Sequence, residues 1–171
     1  MNACLLADIG GTRARFAVLN GSELGAIEAV STGAYANAVD AIRHFLNNRP
    51  EDSVAIESAV IAAAGPVEGG RCALTNAPWV LTCEQIAHAF HLRSVTLVND
   101  LEALAWAIPR FAAADTVGIG GGVELSTAPV VLLAPGTGLG MACFLPGGGA
   151  DRVLASEGGH ATLAATDAAE A

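Results

Sequence analysis

An apolar strand that ends in an amide and a carboxylate, directly before a helical segment, constrains this chain more than any other feature. The stretch is Leu97-Val98-Asn99-Asp100. Open α/β folds bind ligands in the crevice beyond the carboxyl ends of their strands, and an Asp at that edge can act as a general base. The stretch therefore predicts an α/β protein with its functional site at one edge of a sheet.

Asp100 and Asn99 also have purely structural interpretations. Asp is a favoured N-cap residue, and Asp100 lies where a helix is expected to begin. The two roles are compatible, because the positive end of a helix dipole keeps a carboxylate ionised, as a proton acceptor must be. Asn99 could hold a ligand hydroxyl through its donor and its acceptor, whereas an isolated Asn is more often a turn residue.

Two glycine-rich turns lie between apolar strand-like runs. They are Asp8-Ile9-Gly10-Gly11-Thr12 and Pro135-Gly136-Thr137-Gly138-Leu139-Gly140. Small residues let successive backbone N–H groups approach phosphate oxygens, and a Thr hydroxyl adds a donor. Neither turn is a Walker A sequence, and a single turn of this kind fits an ordinary hairpin. The matched pair, in a weak internal repeat of residues 5–18 and 132–145, favours a polyphosphate ligand.

Paired phosphate turns and one candidate base suggest a kinase. Phosphoryl transfer requires little covalent chemistry from the protein, which must hold the phosphates and magnesium, place the acceptor hydroxyl and remove its proton. Asp8 suits magnesium bound through water, since this ion keeps much of its hydration shell. The alternative to magnesium binding is a structural role, in which the Asp8 carboxylate caps the turn.

Glu157-Gly158-Gly159-His160 is the last polar motif. Carboxylates and neutral imidazoles are natural partners of sugar hydroxyls, which both donate and accept hydrogen bonds. The competing interpretation is zinc, to which Glu157 and His160 would supply two ligands. Trp79 packs either near a sugar or, as buried tryptophans more often do, in the core.

Composition narrows the classes of partner. Of 171 residues, 53% are hydrophobic, and 17 acidic residues against 8 basic ones give a formal charge of -9. This charge, without any Lys/Arg-rich block, argues against nucleic acid and anionic membranes. No run resembles a secretory signal or could span a bilayer. The four cysteines have no CxxC spacing, so we expect reduced thiols in a cytoplasmic protein rather than disulfides or zinc ligands.

Hydrophobic periodicity and turn residues give the predicted elements. Pro109 marks the predicted boundary between a domain of residues 1–109 and a second one of residues 110–171. Helices are predicted over residues 34–46, from the capping box at residues 82–85 to about residue 90, and over residues 100–108. Strands are predicted over residues 4–7, 15–19, 54–64, 71–74, 95–98, 116–119, 130–134 and 141–145.

With these residues in view, the sequence resembles the bacterial glucokinase family, of the hexokinase and actin-like (ribonuclease H-like) fold. The resemblance implies a mixed sheet flanked by helices, in a small domain and an incomplete larger one. It extends from about residue 5 to residue 162, and its five motifs follow the family's order. These motifs are Asp8-Ile9-Gly10-Gly11-Thr12, Leu74-Thr75-Asn76 with Trp79, Val98-Asn99-Asp100, Gly136-Thr137-Gly138-Leu139-Gly140 and Glu157-Gly158-Gly159-His160.

The resemblance implies ATP-dependent phosphorylation of glucose to glucose 6-phosphate, the first step of glycolysis, with ATP and magnesium bound. Asp100 would be the base that activates the 6-hydroxyl, and Asn99, Glu157 and His160 would hold the ring. The two glycine-rich motifs would bind the phosphates. A homodimer is a fair default for such an enzyme.

The sequence departs from the family in two respects. Arg13 stands where the family usually has Asn. Family members are about twice as long, and the other half carries the adenosine site and another sugar-binding Glu, so we expect an N-terminal piece of a glucokinase. The alternatives are a hexose kinase of different sugar preference, a non-catalytic sugar-binding or regulatory module, and an actin-like ATPase. The related repressor and open-reading-frame sugar kinases share the Glu-x-Gly-His pattern.

Overall fold

The computed structural model of the chain describes residues 3–49, 55–123, 125–136 and 138–161. By its internal contacts the chain divides into two compact units, Met1–Asp100 and Leu101–Ala171, called here the first and the second unit. The domain boundary at Pro109 stays a prediction. Each unit is described by itself.

A mixed sheet forms the centre of the first unit. Its order is β3-β2-β1-β5-β9, with β4 also paired to β2, and β1, β5 and β9 are parallel neighbours. A smaller antiparallel sheet has the order β6-β7-β8. The strands are β1 (Ala3–Ile9), β2 (Arg13–Asn20), β3 (Glu23–Leu24), β4 (Glu28–Ser31), β5 (Ile56–Ala63), β6 (Val67–Glu68), β7 (Arg71–Ala73), β8 (Val80–Thr82) and β9 (Ser94–Asn99).

The register of the parallel strands fixes a common carboxyl edge. Ile9 of β1 pairs with Ala63 of β5, and Ala63 pairs with Asn99 of β9. The strands therefore end in one row. This is the edge at which the sequence predicts the functional residues of the first unit.

Two α-helices of the first unit begin at side-chain caps. In α1 (Ala38–Asn47) the Asn37 side chain accepts the Asp40 N–H at 2.9 Å. This helix starts later than predicted, because Thr32–Ala34 forms a separate 3-10 helix before the cap. In α2 (Cys83–Phe90) the Thr82 side chain accepts the Gln85 N–H at 3.2 Å, which confirms the predicted helix start.

The core of the first unit joins the helices to the sheet in one buried cluster. The Phe16 and Phe45 rings stack with centroids 5.5 Å apart. Trp79 is only 2% exposed, and its indole N–H donates to the Tyr35 carbonyl at 3.1 Å. The core interpretation of Trp79 is therefore confirmed. All four cysteines are free thiols, and Cys72 is buried.

The helix α3 (Asp100–Ala107) follows β9 without an intervening residue, and a 3-10 helix over Ile108–Arg110 continues it. The second unit then contains a sheet of order β10-β11-β12, antiparallel throughout. Its strands are β10 (Val130–Pro135), β11 (Leu139–Leu145) and β12 (Arg152–Ser156). Among the described residues, no helix is both long enough and apolar enough to cross a bilayer.

The predicted strand over residues 116–119 is wrong. These residues are irregular, with Val117 87% and Ile119 96% exposed. Gly118 interrupts the apolar run, and Gly120 follows it with a φ of +93°. Glycine weakens an isolated strand because it loses more backbone entropy than other residues. The third strand of this sheet is instead β12, which the sequence analysis did not predict.

Candidate active site

The first glycine-rich turn connects β1 to β2 and is braced from outside the hairpin. Within the turn, the Gly10 N–H donates to the Arg13 carbonyl at 2.9 Å. The Thr32 hydroxyl donates to the Gly10 carbonyl at 2.9 Å, and the Thr32 N–H donates to the Thr12 carbonyl at 3.1 Å. Because Thr32 is 1% exposed, its bonds are shielded from water and hold the turn in one conformation.

Residue 11 must be glycine because Asn76 approaches it closely. A Cβ at this position would lie 2.7 Å from Asn76 Cβ and 3.0 Å from the Asn76 carbonyl oxygen. The loop between β7 and β8 therefore packs directly on the turn. That loop is itself fixed, since the Leu74 N–H donates to the Trp79 carbonyl at 3.0 Å.

Asp8 forms an ion pair with its cross-strand neighbour. Arg15 Nη1 lies 2.6 Å from Asp8 Oδ2, and both side chains are about half exposed. The alternative that Asp8 caps the turn is therefore wrong. Among the described residues, Oδ1 has no hydrogen-bond partner. One carboxylate with an available oxygen fits magnesium, which takes one or two carboxylates and keeps its waters.

Asn99 and Asp100 occupy the junction between β9 and α3. Asn99 is the last residue of the strand, so the turn-residue interpretation is wrong, and its Nδ2 donates to the Gly65 carbonyl at 3.1 Å. Asp100 is the first residue of α3, in the turn where a helix dipole favours a negative charge.

The charge of Asp100 also acts on the interior of the first unit. Burial, and after it the negative charge of Asp100, raises the pKa of the Cys72 thiol. Cys72 therefore stays protonated near neutral pH.

The second glycine-rich turn connects β10 to β11. Pro135 pairs with Leu139, and the Gly136 N–H donates to the Gly138 carbonyl at 2.8 Å, so this turn closes a hairpin as predicted. A Cβ at Gly136 would have its nearest neighbour, the Gly138 carbonyl oxygen, at 3.9 Å. Thr137 lies outside the described residues.

The Glu157 motif packs against the strand that follows this turn. Gly158–His160 forms a 3-10 helix that begins after Glu157, whose side chain is exposed. A Cβ at Gly159 would overlap the Leu139 carbonyl, and one at Gly158 would overlap the Met141 side chain. Gly159 thus permits a contact with the backbone of β11 that a larger residue would prevent, whereas the flexible end of the Met141 side chain can move away from residue 158.

The structure thus brings the predicted residues together as two groups, one within each unit. Among the described residues, no three His, Cys, Asp or Glu side chains are grouped as potential metal ligands. The His160 side chain lies outside the described part of the chain. The first group is Asp8, Ile9, Gly10, Gly11, Thr12, Asn99 and Asp100, and the second is Gly136, Gly138, Glu157 and His160.

Three residues support the first group through contacts that the sequence did not predict. Gly65 lies directly after the predicted strand over residues 54–64, and its carbonyl accepts from Asn99. Asn76 belongs to the Leu74-Thr75-Asn76 motif, but nothing in that motif shows that it packs on the first turn. Thr32 is 22 residues from the carbonyl that it binds, and nothing in its local sequence marks that contact.

Comparison with known proteins identifies the family. The sequence profile of a family described as Glucokinase matches residues 5–171. A relative from Burkholderia pseudomallei (strain 1710b), named Bifunctional protein glk, is 40% identical over 97% of this chain and 26% of its own length. A protein from Pseudomonas aeruginosa (strain LESB58), named Glucokinase, is 37% identical over 95% of this chain and 49% of its own length. The chain thus spans about half or less of these curated relatives.

Solved structures give the same result. A glucokinase from an Antarctic psychrotroph matches with a TM-score of 0.81 at 30% identity, over 99% of this chain and 54% of that chain. A glucokinase from Balamuthia mandrillaris, solved in complex with glucose, matches with a TM-score of 0.75 over 99% of this chain and 52% of that chain. Its 23% identity supports the fold alone. Since the profile covers nearly the whole chain, the protein belongs to the glucokinase family.

Proposed function

We propose that the protein containing this chain transfers the terminal phosphate of ATP to the 6-hydroxyl of glucose, yielding glucose 6-phosphate and ADP. The observation that carries this proposal is the junction of β9 and α3, where Asn99 and Asp100 share a carboxyl edge with the first glycine-rich turn. Membership of the Glucokinase family and the 37% identical relative named Glucokinase support both the reaction type and the sugar.

Asp100 is the proposed general base. The proton of the 6-hydroxyl passes to its carboxylate while the hydroxyl oxygen attacks the terminal phosphorus, and the bond from that phosphorus to the bridging oxygen of ADP breaks. Asp100 lies at the first residue of α3, directly after the carboxyl end of β9.

The glycine-rich turns are the proposed phosphate-binding elements. Backbone N–H groups of Gly11 and Thr12 in the first turn, and of Thr137 and Gly138 in the second, would donate to phosphate oxygens. The N–H groups of Gly10 and Gly136 bond within their turns and close them. Ile9 supports the first turn from the buried face of β1. Asp8 would hold magnesium through water, and that ion, when bound with ATP, neutralises phosphate charge.

Asn99, Glu157 and His160 are the proposed sugar-binding residues, together with Asp100 itself. Their amide, carboxylate and imidazole groups match the mixed donor and acceptor character of a sugar. In a cell the reaction would be the first step of glycolysis. A cytoplasmic location and a homodimer stay predictions.

The test is a coupled assay of glucose 6-phosphate formation from glucose and MgATP, run on the 171-residue chain and on the full-length protein. We expect turnover by the full-length protein that depends on both substrates. Glucose binding without turnover would instead support the sugar-binding module, and ATP hydrolysis indifferent to sugar would support the actin-like ATPase. A sugar panel with mannose and fructose then tests the preference for glucose.

A further inference from the structure

We propose that Gly65 is a positioning residue, whose main-chain carbonyl fixes the orientation of the Asn99 amide at the carboxyl edge. The carbonyl accepts Asn99 Nδ2 at 3.1 Å. The inference rests on the proposed function for its ligand, a sugar hydroxyl, whereas the hydrogen bond itself can be measured without any ligand.

The chemistry of the pair permits only one orientation of the amide. A main-chain carbonyl can accept a hydrogen bond but cannot donate one, and the Asn side chain has a donor group and an acceptor oxygen on separate branches. Flipping the amide would set Oδ1 against the Gly65 oxygen, so two acceptors would meet and the bond would be lost. Since Nδ2 faces Gly65, Oδ1 lies on the other branch. A sugar hydroxyl that meets Oδ1 must therefore donate.

The Gly65 carbonyl is held by its neighbours on both sides. The preceding residue, Ala64, donates its N–H to the Ile9 carbonyl at 3.0 Å and accepts the Thr75 N–H at 3.2 Å. The following residue, Pro66, restricts the backbone of Gly65 to extended conformations. The carbonyl thus has a fixed direction before any ligand binds.

The site also explains why residue 65 is glycine. A Cβ there would lie 2.6 Å from the Ala73 carbonyl oxygen and 3.0 Å from Cys72 Sγ. The first of these atoms belongs to the backbone of β7 and cannot rotate away. Any side chain would push residue 65 off β7 and move its carbonyl away from Asn99. Gly33 is the matched control, because within the described part of the chain a Cβ there meets only Ser31 Oγ, at 3.9 Å.

The first measurement is NMR on the ligand-free full-length protein labelled with ¹³C and ¹⁵N. We expect a scalar coupling across the hydrogen bond, between the Asn99 side-chain nitrogen and the Gly65 carbonyl carbon. Its absence in the folded protein would overturn the proposal. Because no glucose is present, failure of the proposed function cannot be mistaken for failure of this bond.

The second measurement compares glucose binding and turnover in Gly65→Ala and Gly33→Ala. We expect Gly65→Ala to raise the dissociation constant and KM for glucose by about tenfold, with a smaller fall in kcat because Asp100 is untouched. Gly33→Ala should change each value by less than about twofold. Unchanged glucose affinity in Gly65→Ala would overturn the positioning role.

If Gly65→Ala does not fold, Asn99→Asp replaces it, because this isosteric change removes the donor and sets an oxygen against the Gly65 carbonyl. Affinity equal to that of the natural protein would again overturn the proposal. Loss of glucose affinity in Asn99→Asp, together with the NMR coupling in the natural protein, supports the proposal. Failure of the natural full-length protein to bind glucose would refute the proposed function, while the coupling would still decide whether Gly65 positions Asn99.

Discussion

The two glycine-rich turns have similar sequences and very different surroundings. The first closes β1 and β2 inside a six-stranded sheet, where Leu5, Ile9 and Phe16 are at most 1% exposed. The second closes β10 and β11 in a three-stranded sheet, where Val131 is 58% and Leu133 55% exposed. Local sequence therefore predicts the hairpin in both places, but only tertiary contacts determine how tightly its turn is held.

The glycines show the same difference. Gly11 lies under a loop that leaves no room for a Cβ, whereas Gly136 has space for one. Thr32 braces the first turn through two hydrogen bonds from another part of the chain. The first turn is thus preorganised by the core around it. Matched substitutions in the two hairpins test this difference.

The largest difference is expected between Phe16→Ala and Leu133→Ala. Removing the buried Phe16 ring, which stacks on Phe45, leaves a cavity and should cost about 3–5 kcal/mol of unfolding free energy. Leu133 is largely exposed already, so its truncation should cost less than about 1 kcal/mol. Urea denaturation measures both. Equal losses of unfolding free energy would show that the two hairpins are buried to the same extent.

Gly11→Ala and Gly136→Ala form the next pair. The new Cβ at Gly11 meets Asn76 at 2.7 Å, and the resulting overpacking should cost about 1–3 kcal/mol. At Gly136 the same change should stay within about 0.5 kcal/mol. Thermal or urea unfolding gives the values. If Gly136→Ala proved the more destabilising, the contrast between the turns would be wrong.

Thr32→Val tests the brace on the first turn alone. It removes the hydroxyl that donates to the Gly10 carbonyl and leaves a partly buried acceptor without that donor, at a cost of about 1–3 kcal/mol. The control is Thr75→Val, since that exposed hydroxyl reaches its acceptor only at 3.5 Å and should contribute less than about 0.5 kcal/mol. Equal losses of unfolding free energy in the two variants would show that the Thr32 hydroxyl does not stabilise the first turn.

The smallest expected effect is a dependence of the unfolding free energy on pH, caused by the Cys72 thiol in the interior of the first unit. Burial and then the charge of Asp100 raise the pKa of the Cys72 thiol above its ordinary value of 9.0. Above pH 9.0 the unfolded state releases this proton before the folded state does, so unfolding free energy should fall as pH rises. Cys72→Ala should remove this part of the slope, and Asp100→Asn should reduce it. An unchanged slope in Cys72→Ala would contradict the assignment.

The elements that could be predicted from sequence are those whose signals are local. The central strand β5, the Thr82 cap of α2 and the start of α3 at Asp100 follow from apolar runs and capping residues. The strand expected at residues 116–119 failed because a short apolar run does not show whether a partner strand exists. Short strands such as β4 form because β2 offers an open edge, which periodicity cannot show.

The candidate site divides in the same way. The residue types at Asp8, Asn99 and Asp100 could be identified from their positions after apolar runs, because strand ends in α/β folds meet at one edge. The contacts that support these residues could not be identified from the sequence. The pairing of Asp8 with Arg15 depends on strand register, and the bond from Asn99 to Gly65 depends on parallel strands that are distant in sequence.

The central claim, that Asp100 is the base of a glucose kinase, is tested most directly by measuring turnover and glucose affinity together in Asp100→Ala of the full-length protein. Glu68→Ala, which removes an exposed carboxylate from β6, is the control. We expect Asp100→Ala to lower kcat by about 100-fold to 10,000-fold while the glucose dissociation constant changes less than about threefold. Equal loss of turnover and binding, or retained turnover, would contradict it.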